Sequence, residues 1–184
     1  MTESYVIFSS DINPVTCQAL IAVMAQQATN GVATVHLLMS TPGGNVTSGI
    51  TLYNTLRSFP FELVTHNTGN IDSIGNMVFL AGARRYACAG ATFMLHGVSF
   101  ETQVPTRFDQ KILQERLAAI KSDQHKISTV LQARTSMTSR QIKKTFLSEA
   151  TQSADWAISV GIVHEIRPVS LPQGGTIIPL VFQR

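Results

Sequence analysis

The chain opens with a short apolar run, Tyr5-Val6-Ile7-Phe8, which predicts a strand. Pro14 suits the first turn of a helix, and the apolar, helix-prone residues 19–25 continue it. Val35-His36-Leu37-Leu38-Met39 predicts a buried strand, and Thr41-Pro42-Gly43-Gly44 breaks it before helix resumes over 46–56. Residues 63–65 predict a further strand, followed by a polar turn through Gly69. From 73 to 80 the pattern is helical, with Ile74, Met77, Val78 and Leu80 apolar. Short strands follow at 84–87 and 92–95. This alternation predicts an α/β domain with parallel strand pairing and right-handed crossovers.

The second half reads as helix. Over 106–133, Leu113, Leu117, Ile120, Ile127 and Leu131 recur at spacings of three, four or seven, giving one apolar stripe with a charged back. A second helix is expected from Thr138 and a third from Ser153, the latter ended by Gly161. The tail from Leu171 contains Pro and Gly and turns β-prone over 176–182. The 184 residues suit one domain with its own core.

Composition narrows the function classes. Charged residues make up only 14% against 44% hydrophobic, which hints that part of the surface is covered in an oligomer. The net charge of +3 comes from scattered Lys and Arg with no basic stripe, so nucleic acid is not an expected partner. Cys17 and Cys88 fit no metal spacing and make no disulfide framework, as suits a reducing compartment. The first residues lack a signal-peptide pattern, and no run of about 18 apolar residues occurs. A soluble, cytoplasmic protein without cofactor, metal or membrane partner is expected.

The chemistry gathers at two glycine-bearing turns that come after strands, where α/β sheets place their sites. The first is Ser40-Thr41-Pro42-Gly43-Gly44; the second is Gly69-Asn70-Ile71-Asp72-Ser73-Ile74-Gly75, opening a helix. A serine at that junction exposes its hydroxyl beside free helix N–H groups, which can stabilise a developing oxyanion. On spacing alone such a serine is more often a plain helix cap. A serine nucleophile also needs a base. Of five histidines, His36 lies in an apolar strand as a core or interface residue. His66 ends a strand at a turn and reads as solvated. His125 lies on a polar helix face, and His164 follows a helix terminator at the surface. His96, ending the strand Phe93-Met94-Leu95, is the best candidate.

These residues carry a family resemblance. The run from Ser40 to Gly49 resembles the Pro-Gly-Gly turn and adjoining helix of Clp proteolytic subunits. Gly69 to Gly75 with Leu80-Ala81-Gly82-Ala83 resembles that family's nucleophile turn, and Met94-Leu95-His96 its histidine motif. Ser153-Ala154-Asp155-Trp156-Ala157, closing on Gly161-Ile162-Val163, resembles its last helix. The similarity runs in order from about Tyr5 to Ile166. It implies the Clp protease/crotonase-like fold: stacked, mostly parallel sheet turns flanked by helices, with a protruding handle helix in the region 98–133. It also implies a serine endopeptidase with Ser73 as nucleophile, His96 as base, and the backbone N–H groups of Gly44 and Ile74 as oxyanion hole. Glycine at 44 would let the backbone approach a substrate closely. Residues 98–104 would be a strand beside the bound peptide. Substrates would be peptides or unfolded proteins, cut inside a homo-oligomer of stacked rings. An AAA+ unfoldase is the partner implied by the family; from the short N-terminus the family's axial loops are expected to be missing or reduced, which leaves that partnership open.

Several positions depart from the family pattern. Counting back from Ser153, the catalytic aspartate falls on Glu149, one methylene longer but able to orient an imidazole. Asp72 stands where a small apolar residue is usual and is the alternative carboxylate partner for His96. Gly97 replaces a glutamine, and Ser148 replaces the arginine that couples ring assembly to activity. These departures motivate a second reading, a catalytically weak paralogue serving as ring subunit or scaffold. A third, a crotonase-type acyl-CoA enzyme, would use the two backbone N–H groups without needing a Ser–His pair.

Overall fold

The computed structural model describes residues 2–100, 102 and 107–182. Its centre is an eight-stranded sheet built from β1 (Glu3–Ser9), β2 (Thr34–Thr41), β3 (Glu62–Asp72), β4 (Arg84–Ala87), β5 (Thr92–Met94), β6 (Thr151–Ser153), β7 (Glu165–Ile166) and β8 (Thr176–Leu180). The main order is β6-β5-β3-β2-β1-β8, with β4 between β3 and β7. Every pairing is parallel except β5 with β6. β2 lies at the centre and is buried along nearly its whole length, as its continuous apolar run requires. The fold class expected from the alternating pattern is the one found.

Among the described residues six helices join or flank these strands: α1 (Pro14–Thr29), α2 (Val46–Ser58), α3 (Gly75–Leu80), α4 (Gln110–Arg134), α5 (Ser139–Ser148) and α6 (Ala154–Ser159). Local chemistry sets their starts. Asn13 accepts hydrogen bonds from the Val15 and Thr16 amides while the Thr16 hydroxyl accepts from the Asn13 amide, and Pro14 takes the first helical position. Thr138 and Gln141 form the same reciprocal cap on α5. Ser153 caps α6, and Gly161 comes after that helix with a φ of 73°.

Four expectations need correction. The polar stretch after Thr65 is not a turn: β3 continues to Asp72. Its polar side chains bridge to neighbouring strands, with Asn67 Nδ2 donating to Thr92 O at 2.8 Å and Thr68 Oγ1 to Met39 O at 3.1 Å. A register shift between Met39 and Thr41 accommodates the longer strand. His66 is consequently an interior residue of β3, 4% exposed, with Nε2 3.1 Å from His36 Nδ1. The long helix begins at Gln110, where the Asp109 side chain accepts from the Ile112 amide; Thr106 lies outside the described residues. The strand expected over 98–104 is absent at residues 98–100, which have no strand neighbour; residues 101, 103 and 104 lie outside the described set.

The apolar stripe of α4 divides in two. Ile127, Val130 and Leu131 are buried in the core, whereas Leu113 and Leu117 stay 52% and 50% exposed. The buried half is tied down by two guanidinium groups. Arg134 donates to Leu80 O and Gly82 O, and Arg85 donates to Gly82 O, Arg134 O, Gly161 O and Ile162 O. Burial, with Arg134 adding its charge, pushes Arg85 down to about 10. Satisfying carbonyls at the ends of α3, α4 and α6 draws those three ends together. Among the described residues no helix is long and apolar enough to cross a membrane.

Candidate active site

The carboxyl ends of β2, β3 and β5 converge, and the turns leaving them carry the residues that the sequence singles out. Ser73 comes directly after β3 in a left-handed backbone conformation, φ 54°, instead of inside the helix that the apolar pattern predicts. α3 starts two residues later, with Ile74 in the cap position. A non-glycine residue held there is strained and must be fixed by its surroundings. The Ser73 amide donates to Met94 O at 2.7 Å, tying the turn to the last residue of β5.

Two residues beyond Met94, His96 places its Nε2 2.7 Å from Ser73 Oγ. The strand pairing makes this meeting: Asp72 and Met94 are register partners, so the residues after each emerge side by side. Gly97 then turns toward α5, its amide donating to Phe146 O at 3.0 Å. A side chain at 97 would press on Phe146 O and the Gln124 amide, so glycine suits this approach. The contact brings the end of α5 to His96. Glu149, in a left-handed conformation with φ 47°, puts Oε1 4.0 Å from His96 Nδ1. That is an ion-pair separation beyond hydrogen-bond reach, and the Glu149 side chain is 68% exposed.

Asp72 is engaged elsewhere: its Oδ2 accepts from Asn70 Nδ2 at 2.6 Å, and Asn70 is in turn held by Ser40 and Thr41. Ser148 ends α5 with its hydroxyl turned back to Thr145 O. Among the described residues, neither the Gly44 amide nor the Ile74 amide donates to a protein acceptor. The residues Gly44 and Ile74 line a cavity of about 90 Å³ with Ser73 and His96. This cavity shares Gly44, Val46, Val98 and Ser99 with an open groove of about 370 Å³ running to Phe100, Arg116 and Ile120.

Glycine at 44 has a cause other than close approach to a substrate. Its φ is 142°, and a Cβ there would run into the Ile12 carbonyl, with which this turn is laced by the bonds Ile12 N to Gly43 O and Asn45 N to Ile12 O. Gly43 is the residue that lies against Ser73. Asn76 was not singled out in the sequence; it is fully buried on α3 and donates to three backbone carbonyls around Ser73. Its one signal was an amide in the otherwise apolar run Gly75-Asn76-Met77-Val78-Phe79-Leu80. Among the described residues no cluster of three His, Cys, Asp or Glu side chains could hold a metal ion.

A mostly parallel sheet whose strand ends carry a paired serine and histidine defines an α/β protein with its candidate site at the carboxyl edge of the sheet. A family model described as Clp protease matches residues 1–169, and the chain belongs to that family. Among solved structures, a mutant of ClpP1 from Listeria monocytogenes is similar, with 18% identity, a TM-score of 0.72, and coverage of 89% of this chain and 90% of that one. At that identity the likeness speaks for the fold.

Proposed function

We propose that the protein is a serine endopeptidase acting on peptides or unfolded protein. The observation that carries this reading is the 2.7 Å approach of His96 Nε2 to Ser73 Oγ beside the backbone amides of Gly44 and Ile74, which meet no protein acceptor among the described residues. In this mechanism the Ser73 hydroxyl donates to Nε2, and His96 takes the proton as Oγ attacks the scissile carbonyl. The oxygen that gains charge is received by the Gly44 and Ile74 N–H groups. His96 passes its proton to the leaving amine, then activates a water that releases the acyl group from Ser73. Glu149 acts by approaching Nδ1–H and holding the productive tautomer, a movement open to an exposed side chain at 4.0 Å.

The same reading extends to a cytoplasmic homo-oligomer of stacked rings in which the exposed half of α4 meets another subunit. An unfoldase partner would feed the chamber. A second reading, a catalytically weak ring subunit, is favoured by the missing hydrogen bond between Glu149 and His96. A fluorophosphonate probe with peptide mapping separates the two. Labelling at Ser73 together with peptide cleavage, both lost in Ser73→Ala while the fold persists, is the expected result. An unlabelled wild-type chain, or cleavage by Ser73→Ala within a few-fold of wild type, overturns the peptidase assignment.

A further inference from the structure

We infer that Asn76 is a positioning residue that aims the Ile74 amide and holds the Ser73 turn against the strand carrying His96. The inference rests on the peptidase reading above and deepens it. Asn76 Nδ2 lies 3.2 Å from Ile71 O, 3.0 Å from Ser73 O and 2.9 Å from Met94 O. Three carbonyl acceptors around one end of an amide fix that end as the NH₂ group. Each carbonyl belongs to a different part of the site: the end of β3, the nucleophile's own peptide, and the end of β5.

The Ser73 carbonyl is the informative partner. It accepts from Asn76 twice, from the side chain and from the backbone amide at 3.2 Å. The Ser73 C=O and the Ile74 N–H belong to one planar trans peptide, so they point in opposite directions. Anchoring the carbonyl toward Asn76 therefore turns the Ile74 N–H away from α3, and Ile74 lines the cavity with His96. The Met94 carbonyl joins the second part. It accepts from both the Ser73 amide and Asn76, and Met94 is two residues before His96. One buried amide thus holds nucleophile, oxyanion donor and base in a common frame.

Two features separate this role from plain structural support. Asn76 Oδ1 meets no acceptor or donor partner among the described residues, so the engaged end of the side chain is the NH₂ group, and its bonds all go to carbonyls around Ser73. The Ser73 and Met94 carbonyls also keep their backbone donors, Asn76 N and Ser73 N, when the side chain is removed. What is lost is the restraint on the tilt of the Ser73–Ile74 peptide, and misplacement by about 1 Å can cost on the order of 100-fold in rate.

The test compares Asn76→Ala and Asn76→Ser with wild type on a fluorogenic peptide, normalised to sites titrated by fluorophosphonate. A peptide aldehyde and the cleaved product peptide serve as inhibitors. The expected result is a kcat reduced roughly 10- to 100-fold per titrated site, KM within about two-fold, weaker aldehyde inhibition and unchanged product inhibition. The aldehyde forms a tetrahedral adduct with Ser73 whose oxyanion depends on the Ile74 amide, whereas the product makes no covalent adduct and binds chiefly through the rest of the peptide. Asn76→Ser covers the case in which the alanine variant does not fold. If either folded variant keeps kcat per titrated site and aldehyde affinity within two-fold of wild type, the inference is overturned. Failure of the peptidase reading looks different: wild type itself is then neither labelled at Ser73 nor active.

Discussion

Gly43 presses so closely on Ser73 that a Cβ at position 43 would lie 2.6 Å from Ser73 Cβ and 2.7 Å from Asp72 O. The turn after β2 thus forms one wall behind the Ser73 turn after β3. Gly43 also has a φ of 90°, so a side chain there meets strain and collision together. Gly43→Ala is predicted to cost roughly 1–3 kcal/mol in a urea melt and to slow fluorophosphonate labelling of Ser73. Wild-type stability with wild-type labelling would show that the two turns are not coupled.

Glu149 stands 4.0 Å from His96 on a left-handed helix end, close enough to complete a triad after a small approach. Glu149→Gln is predicted to lower turnover of a peptide substrate by roughly 100-fold or more, with the melting temperature unchanged, because an exposed side chain contributes little to stability. An unchanged rate assigns the chemistry to Ser73 and His96 alone.

The buried pair His36 and His66 predicts acid sensitivity far from the serine. Burial, with help from His36, Arg167 and Arg84, holds His66 down to about 4 from its ordinary 6.5. Burial also lowers His36, while Glu3 works in the opposite direction. The unfolded chain therefore takes up the proton more readily than the folded one. Stability is full above about 6.5 and is lost as the pH falls toward 4. Urea midpoints at pH 7.5, 6 and 5 should decline, and His66→Phe should flatten the decline. A slope unchanged by His66→Phe would place the acid sensitivity elsewhere.

The exposed half of α4 carries the prediction about assembly. Leu113 and Leu117 are about half exposed on a helix whose other end is anchored by Arg85 and Arg134. Leu117→Glu should lower the assembled mass in light scattering while leaving the secondary structure unchanged. A mass equal to that of wild type would show that this face does not mediate assembly.

Much of the scaffold was legible from periodicity alone. The continuous apolar run of β2, the capped start of α1 and the glycine stop after α6 depend on residues near one another in sequence, so local rules suffice. Ser73 and His96 were singled out through the family resemblance, since on spacing alone a serine at a helix start is more often a plain cap. The path of β3 was not legible. Its polar residues 66–72 look like a turn until their partners on β2 and β5 are known, and the same error made His66 look solvated.

The alternation of strand and helix and the parallel class of the sheet were determined by the sequence itself, because hydrophobic period and turn chemistry act over a few residues. Only the tertiary structure decided how the site is held. The 2.7 Å contact joins residues 23 apart through the register of β3 with β5. The left-handed Ser73 is fixed by Met94 and Asn76 and backed by Gly43 on another turn. The position of Glu149 depends on the Gly97 bond to Phe146. These are contacts between segments distant in sequence. Their geometry depends on the packing of the whole chain, which no local pattern of residues encodes.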